Sequence, residues 1–118
     1  MAFSPAEIHN HLVTLETGFW AYRRPPLQLR HKIREGQRIA GPSQSIELFF
    51  ERPAFQRPGE WVESSIAKMK YLRNRDVWKL YWKRADGRWH RYPHCPETET
   101  LCEALAVIEE DAYCCFFG

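Results

Sequence analysis

Apolar positions recur with two different periods along this chain, and the change from one to the other separates helices from strands. Ile8, Leu12, Leu15, Phe19 and Tyr22 succeed one another at spacings of four, three, four and three, the stripe of an amphipathic helix. Ser4-Pro5-Ala6-Glu7 supplies its start: an N-cap Ser, a Pro at the first helical position and a Glu three residues after the cap. Arg23-Arg24-Pro25-Pro26 stops it, because Pro removes a donor and restricts the residue before it. His9 and His11 fall off the stripe and read as solvated. Pro26 then opens a shorter helix predicted over 27–35, with Leu29 and Ile33 inward and Gly36 as its stop.

From residue 37 the period changes to two. A short strand over 37–40, a turn over 41–44 and a longer strand over 45–52 follow, with Ile46, Leu48 and Phe50 on one face and Glu47, Phe49 and Glu51 on the other. Residues 53–63 hold two Pro and a Gly and read as a surface loop, with Trp61 folding back over the core.

Residues 76–92 read as a β-hairpin, aromatic and basic positions alternating on either side of Asp86-Gly87. A two-residue Asp86-Gly87 loop pairs Arg84 with Trp89, Lys83 with His90 and Tyr81 with Tyr92. It gathers Trp78, Leu80, Trp82 and Trp89 on one face and is preferred here. A three-residue loop instead sets Trp82 opposite His90, and a slip of one residue moves every side chain of a strand to the other face. An even-length turn around Asn74-Arg75 continues the apolar face with Tyr71, Met69 and Ala67 and sets Lys70 directly across from Lys79. Like charges facing each other across strands are unfavourable, so the stripe predicts an anionic neighbour inside or outside the protein.

Thr100-Leu101-Cys102-Glu103 has the spacing of a second capping box, opening a C-terminal helix with Leu101, Leu105 and Ile108 inward. The segment 113–118 is too apolar to hang free and is expected to dock. These elements predict one α+β domain over 1–118: a single antiparallel sheet of four to five strands, with the N- and C-terminal helices packed on one face.

Charge alters this picture more than composition does. The net charge of +2 conceals a division, since all seventeen Lys and Arg lie between Arg23 and Arg91 with seven acids among them, whereas residues 92–118 hold six acids and no Lys or Arg. Either the acidic C-terminal helix neutralises the basic sheet, or the sheet serves an outside partner. The apolar runs are far too short to span a membrane, and the start lacks the basic and apolar regions of a signal peptide, so a cytoplasmic address is expected. Four Cys are then expected to be free thiols, Cys114 and Cys115 as small core hydrophobes. His90, His94, Cys95 and Cys102 lie close in sequence but form no Cys-x-x-Cys pair, so no metal and no cofactor are assigned.

The candidate binding residues are Lys68, Lys70, Lys79, Tyr81, Lys83, Arg88, His90 and Tyr92, stacking surfaces beside phosphate-neutralising charges, with nucleic acid or an acidic protein as partner. Arg23, Arg24 and Arg30 form a secondary basic patch. A second reading uses the Trp-rich strands as protein-interaction anchors. A third, enzymatic reading would join Glu47 to Lys68 and Lys79 for acid–base or nuclease-like work, but the Asp/Glu-x-Lys spacing is absent, the groups are expected to be more than half exposed, and no catalytic residue is assigned.

Ala67-Lys68, Val77-Trp78-Lys79-Leu80-Tyr81-Trp82, Arg84-Ala85-Asp86 and Trp89-His90 resemble the small bacterial family known as domain of unknown function 3024. Arg23-Arg24-Pro25-Pro26, Arg52-Pro53 and Phe116-Phe117-Gly118 share the resemblance, which spans nearly the whole chain. It implies a bacterial, single-domain protein and carries no catalytic residues. This chain departs from the pattern in placing its acid at Glu51, one position later than the family's, and in having Cys95 and Cys102.

Overall fold

A computed structural model describes residues 2–117; Gly118, last of the segment expected to dock, lies outside them. Helix α1 (Pro5–Leu15) opens as its sequence dictates: Glu7 donates its backbone N–H to the Ser4 hydroxyl at 3.2 Å, and the Glu7 carboxylate accepts the Ser4 N–H at 2.9 Å. It runs through a π-helical turn (Glu16–Trp20) into a last turn, α2 (Ala21–Arg23). The Thr14 and Thr17 hydroxyls donate to carbonyls four residues back, a competition that loosens the helical ladder. The wider turn rotates the stripe, so Leu15, Phe19 and Trp20 are buried while Tyr22, expected inside, is 76% exposed.

The helix predicted over 27–35 does not form. One 3₁₀ turn (Leu27–Leu29) is followed by strand β1 (Arg34–Ala40), which pairs with β2 (Ser45–Pro53) from Arg34↔Glu51 to Ala40↔Ser45. Seven residues of ladder outweigh a weak helical pattern. Gly36, expected as a helix stop, instead lies against the Phe49 ring, where a Cβ would collide.

Strands β3 (Trp61–Leu72), β4 (Val77–Lys83) and β5 (Trp89–Arg91) complete an antiparallel sheet of order β1-β2-β3-β4-β5, and the short β6 (Glu97–Thr98) also pairs with β4. The β3–β4 register is the one alternation predicts: Tyr71↔Trp78, Met69↔Leu80 and Lys70↔Lys79. A bulge between Leu48 and Phe49 leaves Ile66 without a partner on β2. Helix α3 (Leu101–Glu110) follows, with Thr100 accepting the Glu103 N–H. One core joins Ile46, Leu48, Met69, Trp78 and Leu80 of the sheet to Leu15, Phe19 and Trp20 and to Leu101, Leu105 and Ile108. No helix among the described residues is long and apolar enough to cross a membrane.

The C-terminal segment docks as its composition requires. Asp111 takes a left-handed conformation (φ 44°), and its carboxylate accepts the backbone N–H groups of Phe116 and Phe117. Phe116 packs on Tyr92, and the Arg23 guanidinium lies 4.1 Å from the Phe117 ring centroid. This anchoring turns the phenylalanines inward and leaves Cys114 exposed and Cys115 half-buried, not core residues as expected. Trp61 does not reach the core either. It lies 3.5 Å beneath the Arg34 guanidinium at the far end of the β2–β3 hairpin. His11, expected in solvent, is wedged edge-on between Phe3 and Trp78 with its Nε2 buried and unpartnered.

Candidate functional site

The β4–β5 hairpin closes with three residues, not two. Gly87 donates its N–H to the Arg84 carbonyl at 2.9 Å, Arg84 donates to the Arg88 carbonyl at 3.1 Å, and Gly87 adopts φ +77°. This is a type I turn closed by a glycine bulge. The Asp86 carboxylate accepts the Arg88 N–H at 2.9 Å and lies 2.8 Å from His90 Nε2. Those two contacts, the Arg88 N–H first, hold the Asp86 carboxyl below its ordinary range.

The odd loop shifts the second strand by one residue, giving Tyr81↔Arg91, Trp82↔His90 and Lys83↔Trp89. Three expected site residues therefore leave the lysine face. His90 stands beside Trp82, on the side of the sheet that carries the core. Tyr92 is buried against Phe116, its backbone N–H on the Leu80 carbonyl. Arg88, facing Arg84 at the mouth of the hairpin, follows the parity of Trp82. Trp89 and Arg91 take their places. The signal was present in the sequence: Asp followed by Gly at the last two positions of a type I turn suits the three-residue loop as well as Asp-Gly suits the two-residue one.

Lys68, Lys70, Lys79, Tyr81 and Lys83 do share one face, opposite the core. Lys68 stands across from Tyr81, Lys70 across from Lys79, and Lys83 Nζ lies 4.9 Å from the centroid of the Trp89 ring. Acids reach this face but are engaged elsewhere on it. Glu47 accepts Arg38 at 2.8 Å and lies 3.9 Å from Lys68. Arg38 also donates to Glu63 at 2.6 Å, and these carboxylates, Glu63 first, raise its guanidinium pKa. Glu97, directly across from Lys79, is held by Arg75 at 2.9 Å and Arg91 at 3.5 Å. Among the described residues, Lys70, Lys79 and Lys83 take part in no ion pair.

The acidic C-terminal helix does not neutralise these lysines. Helix α3 packs on the core side, Glu109 pairs with Arg23 at 2.8 Å, and the Glu103 carboxylate accepts the Glu99 N–H at 3.4 Å while its own N–H donates to the Thr100 hydroxyl. Glu47 and Lys68, expected more than half exposed, are 26% and 28% exposed, because Arg38 and Tyr81 flank them. The secondary patch is likewise engaged internally. Arg23 holds Glu109, Arg24 holds Glu16 at 2.6 Å and Glu35 at 3.0 Å, and Arg30 donates to the Pro25 carbonyl.

None of the five tryptophans is exposed. Trp20 and Trp78 are buried, and Trp61, Trp82 and Trp89 are half-buried, each with an Arg or Lys over its ring. Trp20 and Trp78 are therefore not available as interface anchors, whereas Trp61, Trp82 and Trp89 keep part of each ring at the surface. Cys95, Cys102, Cys114 and Cys115 are free thiols, and among the described residues no three His, Cys, Asp or Glu side chains come together to hold an ion.

Neither curated proteins nor solved structures provide a match to this chain. A family model does, and it matches residues 4–118, from the N-cap of α1 to the last residue of the C-terminal segment. The chain belongs to the family described as a domain of unknown function, DUF3024.

Proposed function

We propose that this chain is a non-enzymatic cytoplasmic module that binds single-stranded RNA or DNA on the outer face of its sheet. The observation that carries the reading is Lys70 set directly against Lys79 with neither in an ion pair among the described residues, since Glu97, across from Lys79 on its other side, is held by Arg75 and Arg91. Opposed like charges destabilise a sheet, and an anionic partner relieves the repulsion. Tyr81 and Trp89 supply stacking surfaces between the cations. As diagonal neighbours on adjacent strands they stand about 7–8 Å apart, room for a base on each. A duplex keeps its bases stacked and can use only the charges. Free thiols in a chain without a disulfide suit a reducing compartment.

The test is anisotropy of labelled 12-nucleotide single strands and of the matching duplex, titrated across salt concentrations. Single strands bind more tightly, and log affinity falls linearly with log salt. Lys70→Ala and Lys79→Ala each reduce the slope by about 0.7. Tyr81→Ala and Trp89→Ala cost about 1–3 kcal/mol each and leave the slope unchanged. Binding absent at low salt, or indifferent to salt, sinks the reading. Affinity for an acidic protein with no response to Tyr81→Ala or Trp89→Ala would replace it.

A further inference from the structure

The β2–β3 hairpin runs on past the part of the sheet that the helices cover. On its core-side face Phe50 pairs with Ser64 and Arg52 with Val62; Phe50 is only partly buried against the core, and Arg52, Val62 and Ser64 are exposed. The connection from α2 to β1 faces them across a gap. Pro25, Pro26, Leu29 and Ile33 form one wall, and Phe50, Arg52 and Ser64 the other, of a cleft of about 480 Å³. That volume lies within the range of small-molecule sites.

The cleft has an apolar floor and a cationic rim. Arg23, Arg24 and Arg52 line it, and no carboxylate does. Arg23 and Arg24 are committed to Glu109, Glu16 and Glu35, whereas Arg52 takes part in no ion pair among the described residues. One unspent guanidinium beside a hydroxyl and an apolar pocket matches a particular ligand chemistry. A guanidinium meets a carboxylate through two parallel hydrogen bonds, and Leu29, Ile33 and Phe50 would bury an alkyl or aryl body.

We propose that this cleft binds a small amphipathic carboxylate, its apolar body against Leu29, Ile33 and Phe50 and its carboxylate on Arg52 and Ser64. A neutral apolar molecule would leave the cationic rim unanswered. A short hydrophilic anion would leave the floor empty. The cleft lies on the opposite side of the sheet from Lys70 and Lys79, so this assignment is independent of nucleic-acid binding.

Isothermal titration of the whole chain with octanoate, octanol and acetate separates the contributions. Octanoate binds saturably, octanol at least about tenfold more weakly, and acetate not measurably. Arg52→Gln weakens octanoate about tenfold and leaves octanol unchanged. Ser64→Leu, which fills the cleft from an exposed position, abolishes both. Thermal unfolding of each variant at the parent temperature confirms an intact fold, as expected for exposed positions. Octanoate that fails to saturate, or that binds Arg52→Gln and Ser64→Leu as tightly as the parent, overturns the proposal, and oligonucleotide affinity stays the same in either case.

Discussion

At the residue scale the least expected group is His11. Its ring is held edge-on between Phe3 at 4.7 Å and Trp78 at 5.1 Å, and burial lowers its pKa below 6.5, partly opposed by the nearby Glu7 carboxylate. The unfolded chain therefore takes up this proton first. Stability from the neutral ring is complete above pH 6.5 and is lost as pH falls through the lower folded value. Glu7 acts in the same direction at lower pH. The Arg73 guanidinium, at 2.9 and 3.1 Å, and the Ser4 N–H hold its carboxyl at about 2, so its contribution is complete above 4.5 and lost as pH falls through about 2. Urea unfolding at pH 8, 5.5 and 3.5 should show both declines. His11→Leu should remove the first and keep the second. It should also leave stability at pH 8 within about 1 kcal/mol of the parent, since the ring nitrogen it deletes has no partner. An unchanged decline between pH 6.5 and 5 in that variant would place the titrating group elsewhere.

At the element scale, two glycines do work that no other residue fits. Gly87 closes the β4–β5 turn at φ +77°, so Gly87→Ala should cost about 1 kcal/mol, as should any L side chain forced into that region. Because Gly87 also sets the register, that variant should broaden or shift the amide signals of Trp89 and His90 before those of β2. Gly36 differs: its conformation is ordinary, and the Phe49 ring occupies the space a Cβ would need. Gly36→Ala should destabilise by about 1–3 kcal/mol through overpacking, and pairing it with Phe49→Leu should recover part of that loss. Additive costs in the double variant would show that the two residues do not meet. The absent helix over 27–35 has the same origin. Its apolar spacing is compatible with a helix, but Leu27 is 77% exposed and Leu29 40%, so it has no core to face, while β1 gains a full ladder on β2.

At the scale of the whole molecule the sheet lysines are separated from most of the C-terminal acids, while Glu47 and Glu97 meet the arginines of the lysine face. The basic residues of β3, β4 and β5 lie on the open side of the sheet, and most of the C-terminal acids lie with α3 on the covered side. The molecule is closed by its last residues through Asp111, whose two oxygens accept from Phe116 and Phe117. Asp111→Ala should cost about 1–3 kcal/mol by leaving those N–H groups without partners and freeing the aromatic segment from Tyr92. Hydrogen exchange at Phe116 and Phe117 should rise with it. Loss of stability without faster exchange there would assign the role of Asp111 to the α3 terminus alone.

The local rules of the chain are sufficient for what depends on neighbours in sequence. The capping box at Ser4 and Glu7, the N-cap at Thr100, the stop at Arg23-Arg24-Pro25-Pro26 and the alternation that sets Lys70 against Lys79 are all legible from residues a few positions apart. So the α+β class, the sheet with its terminal helices, and the shared face of Lys68, Lys70, Lys79, Tyr81 and Lys83 follow from the sequence alone. The loop at Asp86-Gly87 lay at the limit of that kind of reading, because the dipeptide suits both hairpin lengths and the bond from Arg88 to Asp86 selects one. Three things only the tertiary structure could decide, since each rests on partners far apart in the chain. They are the extension of the strand expected over 37–40 back to Arg34 in place of a helix, the wedging of His11 between Phe3 and Trp78, and the cleft between Pro25–Ile33 and the β2–β3 hairpin. Local pattern records which face of an element is apolar; only packing shows whether anything covers it.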